Sequence, residues 1–108
     1  MSRVFIGVGQ IDHSTGQRRC DVYMEQKGEW QRLQRRVRRV DEGYCWDQAG
    51  PRSTELARAI LWVVTGEDPP WALYRGFTID IVAHFPVPVC EGECWRLGEE
   101  DVRAWLET

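Results

Sequence analysis

No stretch of this 108-residue chain is apolar for long. Near the N-terminus the longest such run is Val4-Phe5-Ile6-Gly7-Val8, too short for the core of a secretory leader, and no small-residue cleavage pattern follows it. Ala57 to Val64 is interrupted by Arg58 and is far too short to span a bilayer. Cysteine is sparse as well. Four residues in 108 do not make a disulfide scaffold. There is no fixed period, which excludes repeat architectures. Positive charge is not in excess: the formal net charge is −3, so the molecule as a whole is not a basic nucleic-acid binder. These absences point to a cytoplasmic protein without membrane attachment whose cysteines stay as thiols.

What is present suits one folded domain over 1–108. Hydrophobic residues make up 43% of the chain, and six Trp with three Phe and three Tyr give too much to bury for a disordered segment. Arg3 to Val8 reads as a β-branched first strand, and the polar residues of Ile11 to Gln17 as a turn. Cys20 to Glu25 predicts a second strand. Lys27-Gly28-Glu29 is a tight connection, and Trp30 to Gln34 is a third strand, although Trp30, Leu33, Val37 and Val40 also keep helical spacing. Asp41 to Gly50 is a loop.

The plainest helix follows. Pro51, Ser53 and Thr54 are start residues, Gly66 is a stop, and the nearly all-apolar interior makes this helix central. Asp68-Pro69-Pro70 opens a second helix over Trp71 to Phe85, with Asp68 as cap and Leu73, Phe77, Ile81 and Phe85 as a stripe. Pro86 to Cys94 is a loop and Trp95-Arg96-Leu97 a short strand. Gly98 leads into a last helix whose Glu99, Glu100 and Asp101 suit a helix N-terminus. The order gives an α+β fold: a small antiparallel sheet of three to four strands packed against two to three helices.

Several pieces taken together resemble a family of small bacterial and phage proteins, the domain of unknown function numbered 6166. They are Gly43-Tyr44-Cys45-Trp46 leading through Gly50 to Leu56-Ala57-Arg58-Ala59-Ile60-Leu61, then Ala72-Leu73-Tyr74 and Phe77. Trp95-Arg96-Leu97, Val102, Trp105 and Leu106 complete the set. The pieces cover about the last two-thirds of the chain. Pro51 and Arg52 stand where the family usually continues a glycine-serine-glycine turn from Gly50. The resemblance implies a cytoplasmic protein, often carried on mobile elements, and implies no activity.

The strongest functional candidate is an arginine run: Arg32, Arg35, Arg36, Arg38 and Arg39, with no acid among them. A planar guanidinium donates two parallel hydrogen bonds to carboxylate or phosphate and keeps its charge. Trp30 beside the run offers a stacking face, and Trp46 in its loop joins it as an exposed aromatic. The ordinary alternative is a solvated edge strand whose charge discourages association. The expectation is a non-enzymatic interaction protein that engages a partner macromolecule through this Arg/Trp-rich face, for instance as an inhibitor of a host defence protein. Nucleic acid bound by the Arg32–Arg39 segment is a second reading. A homodimer, in which that segment meets the acidic C-terminal helix of another copy, is a third.

Metal and catalysis have less behind them. Cys90 and Cys94 have zinc-like spacing, but no second pair matches them, so Cys20, Cys45 or His84 would have to converge on them. No metal or other cofactor is therefore expected. His13 stands among turn residues with Asp12 and Ser14, and His84 follows Asp80 at helical spacing. Neither comes with a nucleophile and an orienting group fixed beside it. Gly7-Val8-Gly9 lacks the third glycine and the helix of a dinucleotide turn.

Overall fold

The continuous apolar, β-branched run Val4-Phe5-Ile6-Gly7-Val8 suits a strand at the centre of a sheet. In the computed structural model, which describes residues 3–33, 46, 51–85 and 92–108, strand β1 runs Val4–Ile11. It pairs antiparallel with β2 (Arg18–Gln26) on one side and β4 (Gly92–Gly98) on the other, while β3 (Glu29–Arg32) pairs with β2. The strand order is β3-β2-β1-β4. Helices α1 (Pro51–Thr65), α2 (Trp71–Asp80) and α3 (Glu99–Leu106) complete an α+β fold.

The β2–β3 connection is a two-residue hairpin. Lys27 (φ 55°) and Gly28 (φ 81°) both take positive φ between Gln26 and Glu29, as the right-handed twist of a tight hairpin demands. Gly66 ends α1 in the left-handed region, its N–H donating to the Trp62 carbonyl at 2.8 Å.

The core lies between one face of the sheet and the helices. The sheet contributes Phe5, Val22, Trp95 and Leu97, with Leu33 just after β3, and α1 contributes Leu56, Ala57, Ile60 and Leu61, all buried. Trp46, Trp95 and Phe85 form one aromatic stack. Trp95 lies parallel to Phe85 at 4.1 Å and edge-on to Trp46 at 5.6 Å. The Trp95 indole crosses β1 at Gly7, where a Cβ would stand 2.0 Å from Nε1. Only glycine leaves that space.

Several boundaries differ from the sequence reading: β1 runs on to Ile11, β2 begins at Arg18 and β3 begins at Glu29. The second helix stops at Asp80, and a single 3-10 turn, Val82–His84, follows. Thr78, Ile79, Ile81 and Val82 are β-branched and prolong a helix poorly, while Pro86 drives Phe85 to an extended ψ of 153°. Leu73, Phe77, Ile81 and Phe85 nevertheless all pack on the core, because a 3-10 turn keeps the stripe on nearly the same side. Asp68 is not the cap of α2. Pro70 holds that position without a side-chain bond, and Asp68 receives Arg58 instead. β4 is also longer than Trp95–Leu97 and takes in Cys94, with a bulge where the register passes from Gly7 to Val8.

Candidate interaction face on the outer side of the sheet

Strand alternation sends every second side chain to the face opposite the core. That outer face carries Val4, Ile6 and Val8 from β1, Asp21, Tyr23 and Glu25 from β2, Trp30 and Arg32 from β3, and Glu93 and Arg96 from β4. None of them belongs to the cluster between sheet and helices, and of them only Ile6 is fully buried. The β4 bulge brings Glu93 and Arg96, three residues apart, to the same side, where Arg96 Nε donates to Glu93 at 2.9 Å.

Polar and aromatic groups are knit together on this surface. The Arg32 guanidinium donates to Asp21 Oδ1 at 3.2 Å and to the Tyr23 hydroxyl at 3.4 Å, and its carbon lies 5.6 Å from the Tyr23 ring centre. The Trp30 ring packs 5.7 Å from that of Tyr23 and stays 48% exposed. Arg96 reaches Glu25 at 3.6 Å as well as Glu93, whose hydrogen bond holds the guanidinium charged even more firmly than usual. Ile6 sits between its cross-strand neighbours Tyr23 and Arg96 and is fully buried, an apolar floor under a polar surface. At the β2–β3 edge a groove of about 510 Å³ is lined mainly by residues of the opposite, helix-side parity, Met24, Gln26, Glu29 and Gln31, together with Arg3, Lys27 and Trp30.

Of the residues singled out by sequence, the structure brings Trp30 and Arg32 together on this face. Arg35, Arg36, Arg38 and Arg39 lie outside the described residues. Trp46 is a correction: it is fully buried against Trp95 and presents nothing to a partner. The aromatic stack needs a large flat side chain there, and burial of an indole outweighs the polar character of the surrounding sequence. Sequence reasoning missed Tyr23, Asp21, Glu25 and Arg96. The clue was the strict alternation Asp21-Val22-Tyr23-Met24-Glu25, with Val22 in the core and its neighbours turned away.

The cysteines do not converge among the described residues. Cys20 on β2 keeps its thiol, and Cys94 is disulfide-bonded, a correction to the expectation of thiols throughout. Cys45 and Cys90 lie outside the described residues. Among those described, no group of three metal-ligating side chains forms. The polar turn with His13 is organised by Asp12, whose carboxylate accepts the Ser14 hydroxyl at 2.6 Å and the Ser14 N–H at 2.9 Å; these bonds lower its pKa. His84 is exposed in the 3-10 turn of the helical layer. No described helix is long and apolar enough to cross a membrane.

A second arginine cluster also escaped notice. Arg58 on α1 grips Asp68 with two parallel hydrogen bonds, 2.7 and 2.5 Å, between the rings of Trp62 and Tyr74 at 5.7 and 5.6 Å. The bonds from Arg58 hold the Asp68 carboxyl below its ordinary range. This cluster ties the α1–α2 connection down.

A family model described as a family of unknown function, DUF6166, matches residues 12–108. The chain belongs to DUF6166. The match reaches further toward the N-terminus than the motifs around the central helix and takes in β2 and β3, so the hairpin bearing Tyr23, Trp30 and Arg32 lies within it. No curated protein and no solved structure matches the chain.

Proposed function

We propose that this DUF6166 member is a non-enzymatic binding module that receives a protein partner on the outer face of its sheet, at Tyr23, Trp30 and Arg32. The observation that carries the reading is the half-exposed Trp30, stacked on Tyr23 next to a guanidinium already fixed in place. Trp, Tyr and Arg are the side chains that dominate binding energy at protein interfaces. Here they are pre-ordered, which lowers the entropy cost of docking.

Charge favours protein over nucleic acid. Arg32 and Arg96 face Asp21, Glu25 and Glu93, so the described face is slightly acidic and its guanidiniums already have carboxylates. Phosphate would have to displace them.

The test is affinity capture from the native host with the wild-type chain and with Trp30→Ser and Arg32→Ser. A protein retained by the wild type and lost by both variants, at unchanged thermal stability, is the expected result. A partner list identical for all three moves the site elsewhere. Anisotropy with a single-stranded oligonucleotide supplies the other outcome: binding that weakens by roughly one log unit per log of salt for each phosphate contacted would replace a protein partner with nucleic acid.

A further inference from the structure

β3 is the edge strand of the sheet, with no pairing partner on its outward side among the described residues. Leu33 N–H donates to the Val22 carbonyl at 2.9 Å, so with the register Arg32 opposite Tyr23 the residues Glu29, Gln31 and Leu33 turn their backbone groups toward β2. Trp30 and Arg32 therefore turn their N–H and C=O groups to the outside, where none meets another described residue. All four residues of β3 are exposed, and three of them line the groove, so the edge is open to solvent.

We infer that a second copy of this chain pairs with that edge, β3 antiparallel to β3 about a two-fold axis at Gln31, to make one continuous eight-stranded sheet. The inference goes beyond the proposed function and does not depend on it. Three features select this arrangement. A two-fold axis normal to the sheet keeps the faces aligned, so each residue must oppose one of the same parity. With Gln31 on the axis, Trp30 of one copy stands opposite Arg32 of the other in a hydrogen-bonded pair, and the two such pairs give four backbone hydrogen bonds. The side chains in these pairs are compatible: an indole stands opposite a guanidinium on the outer face, and no like charges meet. Moving the axis to Arg32 would set arginine against arginine, and moving it to Trp30 would drive the Lys27-Gly28 turn against the partner strand.

The usual objection is that charge on an edge strand prevents pairing. Arg32 is neutralised within its own copy by Asp21 at 3.2 Å, so bringing two copies together adds little like-charge repulsion. The route differs from a contact between an arginine segment and the acidic C-terminal helix. Glu99 of that helix is already held by Arg3 and Arg103 of its own chain.

The test uses the full chain. Light scattering over a concentration series should show a species of twice the 12.6 kDa chain mass. Amide exchange should slow with concentration at Trp30 and Arg32, by about tenfold or more, while Gln31, bonded to β2, keeps its rate. Gln31→Cys should give a covalent dimer on mild oxidation that the wild type does not give, because a pair on the axis without mutual hydrogen bonds brings the two Cα atoms within disulfide reach. Gln31→Lys places like charges face to face and should weaken the dimer roughly fivefold. A single-chain mass at all concentrations overturns the inference. So does a dimer whose Trp30 and Arg32 amides remain unprotected, or a Gln31→Cys chain that cross-links no more than the wild type.

Discussion

Gly7 shows how one small residue can decide where a large one goes. Its missing side chain leaves the space into which the Trp95 indole folds, and Trp95 in turn supports Phe85 and Trp46. A methyl group at Gly7 cannot coexist with that indole, since their atoms would lie 2.0 Å apart and the indole is confined on both sides. Gly7→Ala should therefore cost about 2–3 kcal/mol through overpacking. Urea unfolding should show a lower midpoint at an unchanged slope; an unchanged midpoint would mean that Trp95 has room to move. Nothing local in the sequence reveals this. Gly7-Val8-Gly9 reads as flexible strand or loop, and the reason for the glycine lies on β4, nearly ninety residues away.

The elements are legible where a local signal and the tertiary context agree. The Lys27-Gly28 turn, the start of α1 at Pro51 and its stop at Gly66 fall where turn and cap chemistry put them. Boundaries drift where the two compete, as at Asp80, where a periodic apolar stripe runs on through residues that make poor helix. The acidic start of α3 was legible too, but its use was not. Glu99 accepts from Arg103 at 3.0 and 2.9 Å and from the Arg3 side chain at 3.1 Å, and its own N–H donates to the Arg3 carbonyl, so it joins α3 to the beginning of β1. Burial alone would raise its pKa, but the hydrogen bonds from Arg103 and Arg3 and their charges outweigh burial and hold it below the ordinary value of 4.5. A carboxyl whose folded pKa is depressed contributes stability above its unfolded pKa and loses it as pH falls through the folded one. Glu99→Gln should thus cost roughly 1–2 kcal/mol at pH 7. The gap between wild type and variant should begin to close as the pH drops below about 4.5 and vanish below the folded pKa. Thermal unfolding of both chains across this range reads it directly, and a gap independent of pH would show that Glu99 acts by packing and not by charge.

At the scale of the whole molecule the question is how six tryptophans are divided between the core and the surface. Composition alone says only that a small domain cannot hide them all. The facing of each depends on register and on the stack, which is why Trp71 and Trp30 are exposed by 58% and 48% while Trp46, placed in a loop by sequence, is fully buried. The exposed pair are differently dressed: Trp71 carries Arg75 over its ring at 5.1 Å on α2, whereas Trp30 rests on Tyr23 at the sheet edge. This division has a spectroscopic consequence. Iodide, which reaches only surface indoles, should quench a substantial part of the wild-type emission, and Trp30→Phe combined with Trp71→Phe should remove most of that accessible part without moving the unfolding midpoint. Trp46→Ala should do the reverse. It leaves the iodide-accessible part in place and lowers stability by about 3–5 kcal/mol, the loss of a buried indole. Should Trp46→Ala unfold at the wild-type midpoint, the aromatic stack with Trp95 would not be the centre of the core. The separation of Trp46 in the interior from Trp30 on the interaction face would then fail together with it.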